Sequence, residues 1–257
     1  MSDECRVPGA KWDASRCFRA TQMRLSLGTR PSALVTFLCA LALACAAMAQ
    51  APKFRLGPSA ELNQPGQKKA SEEAQKIANR ALAEFAKNDL DTARRDFLKV
   101  LELAPGNLPT LINLGLLEYR AKKYDDAEKF LKRVVREAPE SGLGWLVLGV
   151  VYYEANKLDA ALAALAQAVY YEPKDARAHH YLGVTIGRKG WYLGAEDEMR
   201  KAIELAPDYA EAHFNLAVFY LQRSPPAIEL ARRHYQQALD LGAAPDAQVE
   251  KSLRSDE

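Results

Sequence analysis

Beyond residue 49 the sequence has no cysteine. All four, Cys5, Cys17, Cys39 and Cys45, precede residue 50. A body without cysteine excludes disulfides, a thiolate-bound metal and a thiol nucleophile, and it is at ease in an oxidising compartment. The body also lacks an excess of basic charge. Residues 50–257 carry 29 Lys/Arg against 30 Asp/Glu, so the formal +2 of the whole chain comes from the leader. With nothing in surplus to neutralise phosphates, nucleic acid is not an expected partner. Strand-favouring runs are scarce, whereas Ala, Leu and charged residues are abundant, a mixture that favours helix. Gly-rich phosphate loops, HExxH, GxSxG and paired-Cys knuckles are missing as well. The chain is therefore expected not to be an enzyme, and to use no cofactor, no metal and no small-molecule substrate.

What is present begins with an export signal that does not start at Met1. From Met23, Arg24 and Arg30 form a basic region, Ala33 to Ala46 an uncharged apolar stretch, and Ala47-Met48-Ala49 a small-x-small cleavage pattern. Residues 23–49 are expected to be a signal peptide cut before Gln50, making the protein periplasmic or otherwise extracytoplasmic. Two other readings stay open. The apolar run of about 17 residues stands at the lower limit for spanning a bilayer, so an uncleaved anchor is one. Lipidation of Cys45 is the other, although Ala42 and Leu43 stand where such signals usually carry Leu and a small residue. Either would bring membrane association. Residues 1–22 have no periodicity and read as a segment upstream of the true start. Residues 50–70, with Pro52, Pro58, Pro65, Gly57 and Gly66, read as a flexible linker.

From Ser71 a period of 34 residues takes over. Pro105, Pro139, Pro173 and Pro207 keep it. So do the small residues Ala81, Gly115, Gly149, Gly183 and Ala217, and the series Ala93, Ala127, Ala161 and Ala195. Phe97, Leu131, Leu165 and Met199 keep the same beat with large apolar side chains. Each period reads as helix, tight turn and helix, with one apolar stripe per helix. The small residue midway along the first helix allows the second to approach closely. Asp91, Asp125 and Asp159 are expected to cap the second helices, and the proline closing each period ends them.

These residues resemble the tetratricopeptide repeat, whose pattern runs Trp-x2-Leu-Gly-x2-Tyr, then Ala-x3-Phe-x2-Ala and a final Pro. Trp145, Leu148, Gly149, Tyr152, Ala161, Leu165, Ala168 and Pro173 follow it closely. The second unit departs with Leu111 for Trp and Glu118 for Tyr, the fourth has His179 for Trp, and the first has Arg80 and Ala81 for Leu-Gly. The fifth gains two residues around Ser224-Pro225-Pro226. The resemblance implies an all-α, right-handed solenoid of about five helix pairs over 71–243 (units 74–107, 108–141, 142–175, 176–209 and 210–243). Residues 244–257 would supply a short capping helix and tail.

The resemblance also implies a concave groove lined by the second, fifth, sixth, ninth, twelfth and thirteenth places of each first helix, which binds a protein or peptide segment. The fifth and ninth places, where some family members hold a carboxylate with Lys and Asn, are apolar here apart from His180, so such a clamp is not expected. Most ninth-place Val and Leu are expected to pack neighbouring repeats. The candidate partner-binding residues are Asn113, Tyr119, Arg120, Leu146, Tyr153, Arg177, His180, Arg188, Phe214 and Asn215. The aromatic and arginine members are expected to stand outside the core, as binding hot spots do. His179 and His213, one period apart, are expected to fill the Trp place and are near enough in register to stack. The clusters Asp125-Asp126 and Glu196-Asp197-Glu198 are expected on solvated helix starts or faces. The rival function is a structural subunit of an envelope complex that uses the convex face or the solenoid ends.

Overall fold

The computed structural model describes residues 72–254; the leader, the signal and the linker lie outside them. Eleven α-helices and no strand occur among the described residues. They are α1 (Glu72–Ala86), α2 (Leu90–Leu103), α3 (Leu108–Arg120), α4 (Tyr124–Glu137), α5 (Gly142–Glu154), α6 (Leu158–Tyr171), α7 (Ala176–Arg188), α8 (Tyr192–Leu205), α9 (Ala210–Gln222), α10 (Ile228–Asp240) and α11 (Ala247–Arg254). The odd helices α1 to α9 open the five repeats, the even ones close them, and α11 packs on α9 and α10. None of these helices is long and apolar enough to cross a membrane.

Each closing helix packs on its own opening helix and on the next one. Opening helices α3, α5, α7 and α9 also touch one another in sequence. An opening helix is thus enclosed on several sides, which explains why α5 buries Leu146 to Tyr153 without a break while α6 buries only Ala161, Ala164, Leu165 and Ala168. The row of mutually touching helices is the inner face of the stack.

The helix contact inside each repeat rests on its small residue. A Cβ added to Gly149 would lie 2.6 Å from Leu165 Cγ, and one on Gly115 2.6 Å from Leu131 Cγ. On Gly183 it would meet Met199 Cε at 2.6 Å and the Ala195 carbonyl at 3.1 Å. Phe97, Leu131, Leu165 and Met199 are fully buried in that contact, each contributing about 1.5–3 kcal/mol.

Between the two helices the chain turns through a left-handed residue at the same place in four repeats: Asn88 (φ 66°), Lys122 (φ 59°), Asn156 (φ 59°) and Gly190 (φ 81°). Asn tolerates this conformation and Gly adopts it without penalty, whereas Lys122 carries the cost of its Cβ.

The expected caps prove to be displaced. Asp91, Asp125 and Asp159 lie inside the first turn of α2, α4 and α6, two places too late to cap. The N-cap places hold Asp89, which accepts the Thr92 N–H at 3.1 Å, and Lys123 and Lys157, which cannot accept. Further side-chain caps sit on opening helices. Asn107 accepts from Thr110 N at 3.0 Å, Ser141 from Gly144 N at 3.1 Å and Asp175 from Arg177 N at 2.9 Å. The displaced aspartates pair across repeats: Lys157 reaches Asp125 at 3.4 Å, and Lys189 pairs with Asp159.

A second set of pairs matches each closing helix to the next opening helix. Arg94 on α2 meets Glu118 on α3 at 2.5 Å, with the Glu118 side chain almost wholly buried. One repeat on, the same two places hold Glu128 and Tyr152, whose hydroxyl donates to Glu128 Oε1 at 3.3 Å. Glu118 therefore replaces the usual Tyr because its partner is a cation. Arg80, in the usual Leu place of the first repeat, is half exposed and donates to Asp96 at 2.5 and 2.6 Å. Glu196, expected to be solvated, is instead buried. Its Oε2 accepts from Arg200 at 3.1 Å, and its Oε1 has no hydrogen-bond partner.

Candidate functional site: the inner face of the opening helices

The ninth places Leu116, Val150, Val184 and Val218 are buried between neighbouring repeats. So are several of the candidate binding residues. Leu146 is 1% exposed, Tyr153 4%, Asn113 5%, and His180 and Asn215 6% each. The expectation that the aromatic residues stand outside the core therefore fails for Tyr153, which belongs to it. Tyr119 and Phe214 are half-buried against the core, and Arg120, Arg177 and Arg188 are exposed. Phe214 shares the fifth place with buried Leu146 and His180 but lies on α9, the last opening helix, and Tyr153 shares the twelfth place with Tyr119 but is covered by Arg188.

Two of the arginines build one repeated device. Arg120 stacks over the Phe85 ring at 4.8 Å and donates to the Phe85 carbonyl at 3.4 Å. Arg188 stacks over the Tyr153 ring at 4.8 Å, donates to the Tyr153 carbonyl at 3.5 Å and reaches Asn156 Oδ1 at 2.8 Å. In each case a thirteenth-place cation covers the twelfth-place ring of the preceding repeat. A stacked guanidinium keeps N–H groups along its edge for an acceptor. The repeat between them carries Glu154 in that place, one 35-residue step after Tyr119. Glu154 is half-buried, and among the described residues it makes no ion pair. Burial raises its carboxyl pKa above the ordinary range, against the lowering effect of Arg188 and Lys122. Burial first and the Glu154 carboxylate second push the Tyr119 phenol up. Tyr181 is raised too, by burial and then by Tyr209, Tyr119 and Glu154. Glu154 thus stands among tyrosines, flanked along the stack by two arginines.

His180 is held from both sides. Asn215 Nδ2 donates to its Nε2 at 2.9 Å, so Nδ1 carries the proton and donates to the Tyr209 hydroxyl at 3.1 Å. Burial lowers this imidazole to about 4, so it is neutral near pH 7. Tyr209 escaped the sequence reading; the signal was there, because Tyr209 stands where Asn107, Ser141 and Asp175 cap the other opening helices. Arg177 pairs with Asp175 at 2.7 Å.

Two other histidines, His179 and His213, fill the Trp place, as Trp145 does. Trp145 Nε1 donates to the Pro139 carbonyl at 2.7 Å, His179 Nε2 to Pro173 at 3.1 Å and His213 Nε2 to Pro207 at 3.2 Å. His179 Nδ1 lies 2.7 Å from Glu198 Oε2. His213 stacks on His234, at 5.3 Å between rings, and not on His179. Among the described residues no group of three or more His, Asp or Glu could hold a metal ion.

Family models described as tetratricopeptide repeat match residues 84–145, 119–182 and 198–240, which together make up more than half of the chain. The chain belongs to the tetratricopeptide repeat family. No curated protein matches it in sequence. Among solved structures it is similar to MamA, at 25% identity and a TM-score of 0.56, over 63% of this chain and 93% of that one. Residues 41 to the end of MamA from Desulfovibrio magneticus RS-1 share the fold, at 19% identity and a TM-score of 0.59, over 67% and 96% of the two chains. So does YrrB, described as a TPR protein with an unusual peptide-binding site, at 24% identity and a TM-score of 0.53, over 68% and 89%. This tetratricopeptide-repeat chain therefore spans nearly the whole length of each.

Proposed function

We propose that this protein is an exported scaffold or assembly factor that holds a segment of a partner protein on the inner face of its solenoid and performs no catalysis. The carrying observation is that the opening helices expose Arg120, Arg177 and Arg188 and leave Tyr119 and Phe214 only half-buried. Such residues dominate binding energy in many interfaces. The peptide-binding site named for YrrB, a protein of the same fold, agrees with this reading. The sequence pattern of residues 23–49 supports export.

The test is affinity capture from envelope extract with the full chain, tagged after Glu257. Wild type should retain a partner that the Arg120→Glu, Arg188→Glu double variant loses while remaining folded. Equal retention by that variant would refute groove binding. A second reading, assembly through the outer face, draws on exposed apolar residues on closing helices: Tyr170 at 75% and Leu193 at 68%, with Trp191 at 57% just before α8. Loss of the partner on Leu193→Asp, with the arginine variant unaffected, would favour it.

A further inference from the structure

We infer that the inner face recognises an extended, proline-rich partner segment by the order of its charges, with a basic side chain seated on Glu154 between two acidic ones seated on Arg120 and Arg188. This rests on the inner face being the binding surface, and it deepens that reading by specifying the occupant.

Successive repeats put Arg120, Glu154 and Arg188 at the same point of α3, α5 and α7, helices that pack directly on one another. Packed helices lie about 8–10 Å apart, so the rim presents positive, negative and positive groups at that interval. Two of the three are fixed in place by their rings, at 4.8 Å over Phe85 and 4.8 Å over Tyr153. The middle one makes no ion pair among the described residues: Arg188, in the next repeat, directs one N–H to the Tyr153 carbonyl and one to Asn156, and its other N–H groups are left for an incoming acid. Burial raises its carboxyl pKa and outweighs Arg188 and Lys122, which lower it without pairing with it, so the carboxylate is only partly compensated. A cation arriving there gains the ion pair, near the Tyr119 phenol on which the Glu154 charge acts.

The spacing selects the conformation of the occupant. A polyproline II segment rises about 3.1 Å per residue with three residues per turn, so every third side chain returns to the same side after about 9 Å. That interval matches the spacing of packed helices. A β-strand puts residues three apart on opposite sides, and a helix would need seven residues per step. Grooves lined with aromatic residues are also the usual receptors for polyproline II segments. The motif that fits is therefore acidic-Pro-Pro-basic-Pro-Pro-acidic, running along the rim.

Calorimetric titration of the full chain with synthetic peptides tests this. The probes are Asp-Pro-Pro-Lys-Pro-Pro-Asp, its inverse Lys-Pro-Pro-Asp-Pro-Pro-Lys, and the all-acidic Asp-Pro-Pro-Asp-Pro-Pro-Asp, each with the same neutral flanks. Wild type should prefer the first over the inverse by about tenfold or more at low salt, and the preference should shrink as salt rises. Glu154→Arg should reverse the order of the first and third peptides. Glu154→Gln, which keeps the shape and removes only the charge, should erase the preference for Lys in the middle. Equal affinity for all three peptides, no binding of any, or a preference that Glu154→Arg leaves intact would overturn the inference. If the peptides show no preference yet the arginine double variant still loses its partner, charge order fails and the inner-face reading stands. If that variant keeps its partner, the inner-face reading itself fails.

Discussion

Trp145 and His179 stand one period apart and make the same bond, each ring donating to the carbonyl of the proline six residues before it, at 2.7 and 3.1 Å. A ring N–H at this place ties the start of an opening helix to the end of the preceding closing helix. His179→Phe should therefore destabilise the fold by about 1–3 kcal/mol, because Pro173 loses its donor and Glu198 loses a partner. Trp145→Phe, which loses only one neutral bond, should cost about 1 kcal/mol. Denaturant midpoints at constant slope measure both. A His179→Phe variant as stable as wild type would show that the proline bond carries no energy.

Gly149→Leu should cost about 1–3 kcal/mol by overpacking, because even a bare Cβ would intrude on Leu165 at 2.6 and 2.8 Å. Since a solenoid is held together by neighbour contacts, protection from hydrogen exchange should fall in α3, α4, α7 and α8 as well as in α5 and α6. Damage confined to α5 and α6 would show that the repeats are coupled less tightly than their packing indicates.

The Arg94–Glu118 pair can be rewritten from its neighbour. Glu118→Ala should cost about 3–5 kcal/mol, since it leaves a largely buried guanidinium without its carboxylate. Arg94→Glu with Glu118→Tyr copies the Glu128–Tyr152 contact of the next interface and should restore most of that loss. A double variant no more stable than Glu118→Ala would mean that the two interfaces are not interchangeable.

Acid should weaken the fold through His180. In the native state its imidazole titrates at about 4 because burial opposes the charged form, against 6.5 for the ordinary side chain. Between those pH values the unfolded chain takes up a proton that the native state excludes. The contribution is therefore complete above pH 6.5 and is lost as the pH falls towards 4, on the order of 3 kcal/mol in all. Tyr209 and Asn215, which face the ring, are uncharged there, so nothing in contact offsets the loss. His180→Gln, able to keep both hydrogen bonds, should flatten unfolding free energy against pH across that window. An unchanged slope would assign the acid sensitivity elsewhere, His234 being the next candidate because burial and the neighbouring His213 hold it at about 4 too.

The repeat was legible in the sequence because its evidence is periodic. Gly115, Gly149 and Gly183 must be small wherever two helices touch, and Phe97, Leu131, Leu165 and Met199 must fill the opposite side. A constraint repeated every 34 residues declares itself without coordinates. Even the exception at His179 was readable as a substitute for Trp, since both rings offer an N–H. Register could not say which side chains the stacking would enclose. Tyr153 and Arg188 stood in neighbouring groove places and looked equally available. Packing of α5 against α3 and α7 buried the ring and left the guanidinium as its cover, because a phenol gains from leaving water whereas an arginine must keep its charged end there. The caps moved for a related reason. A turn residue at positive φ, Asn88 or Lys122 or Asn156, set where each closing helix began, and that choice of backbone angle left no periodic hydrophobic mark in the sequence.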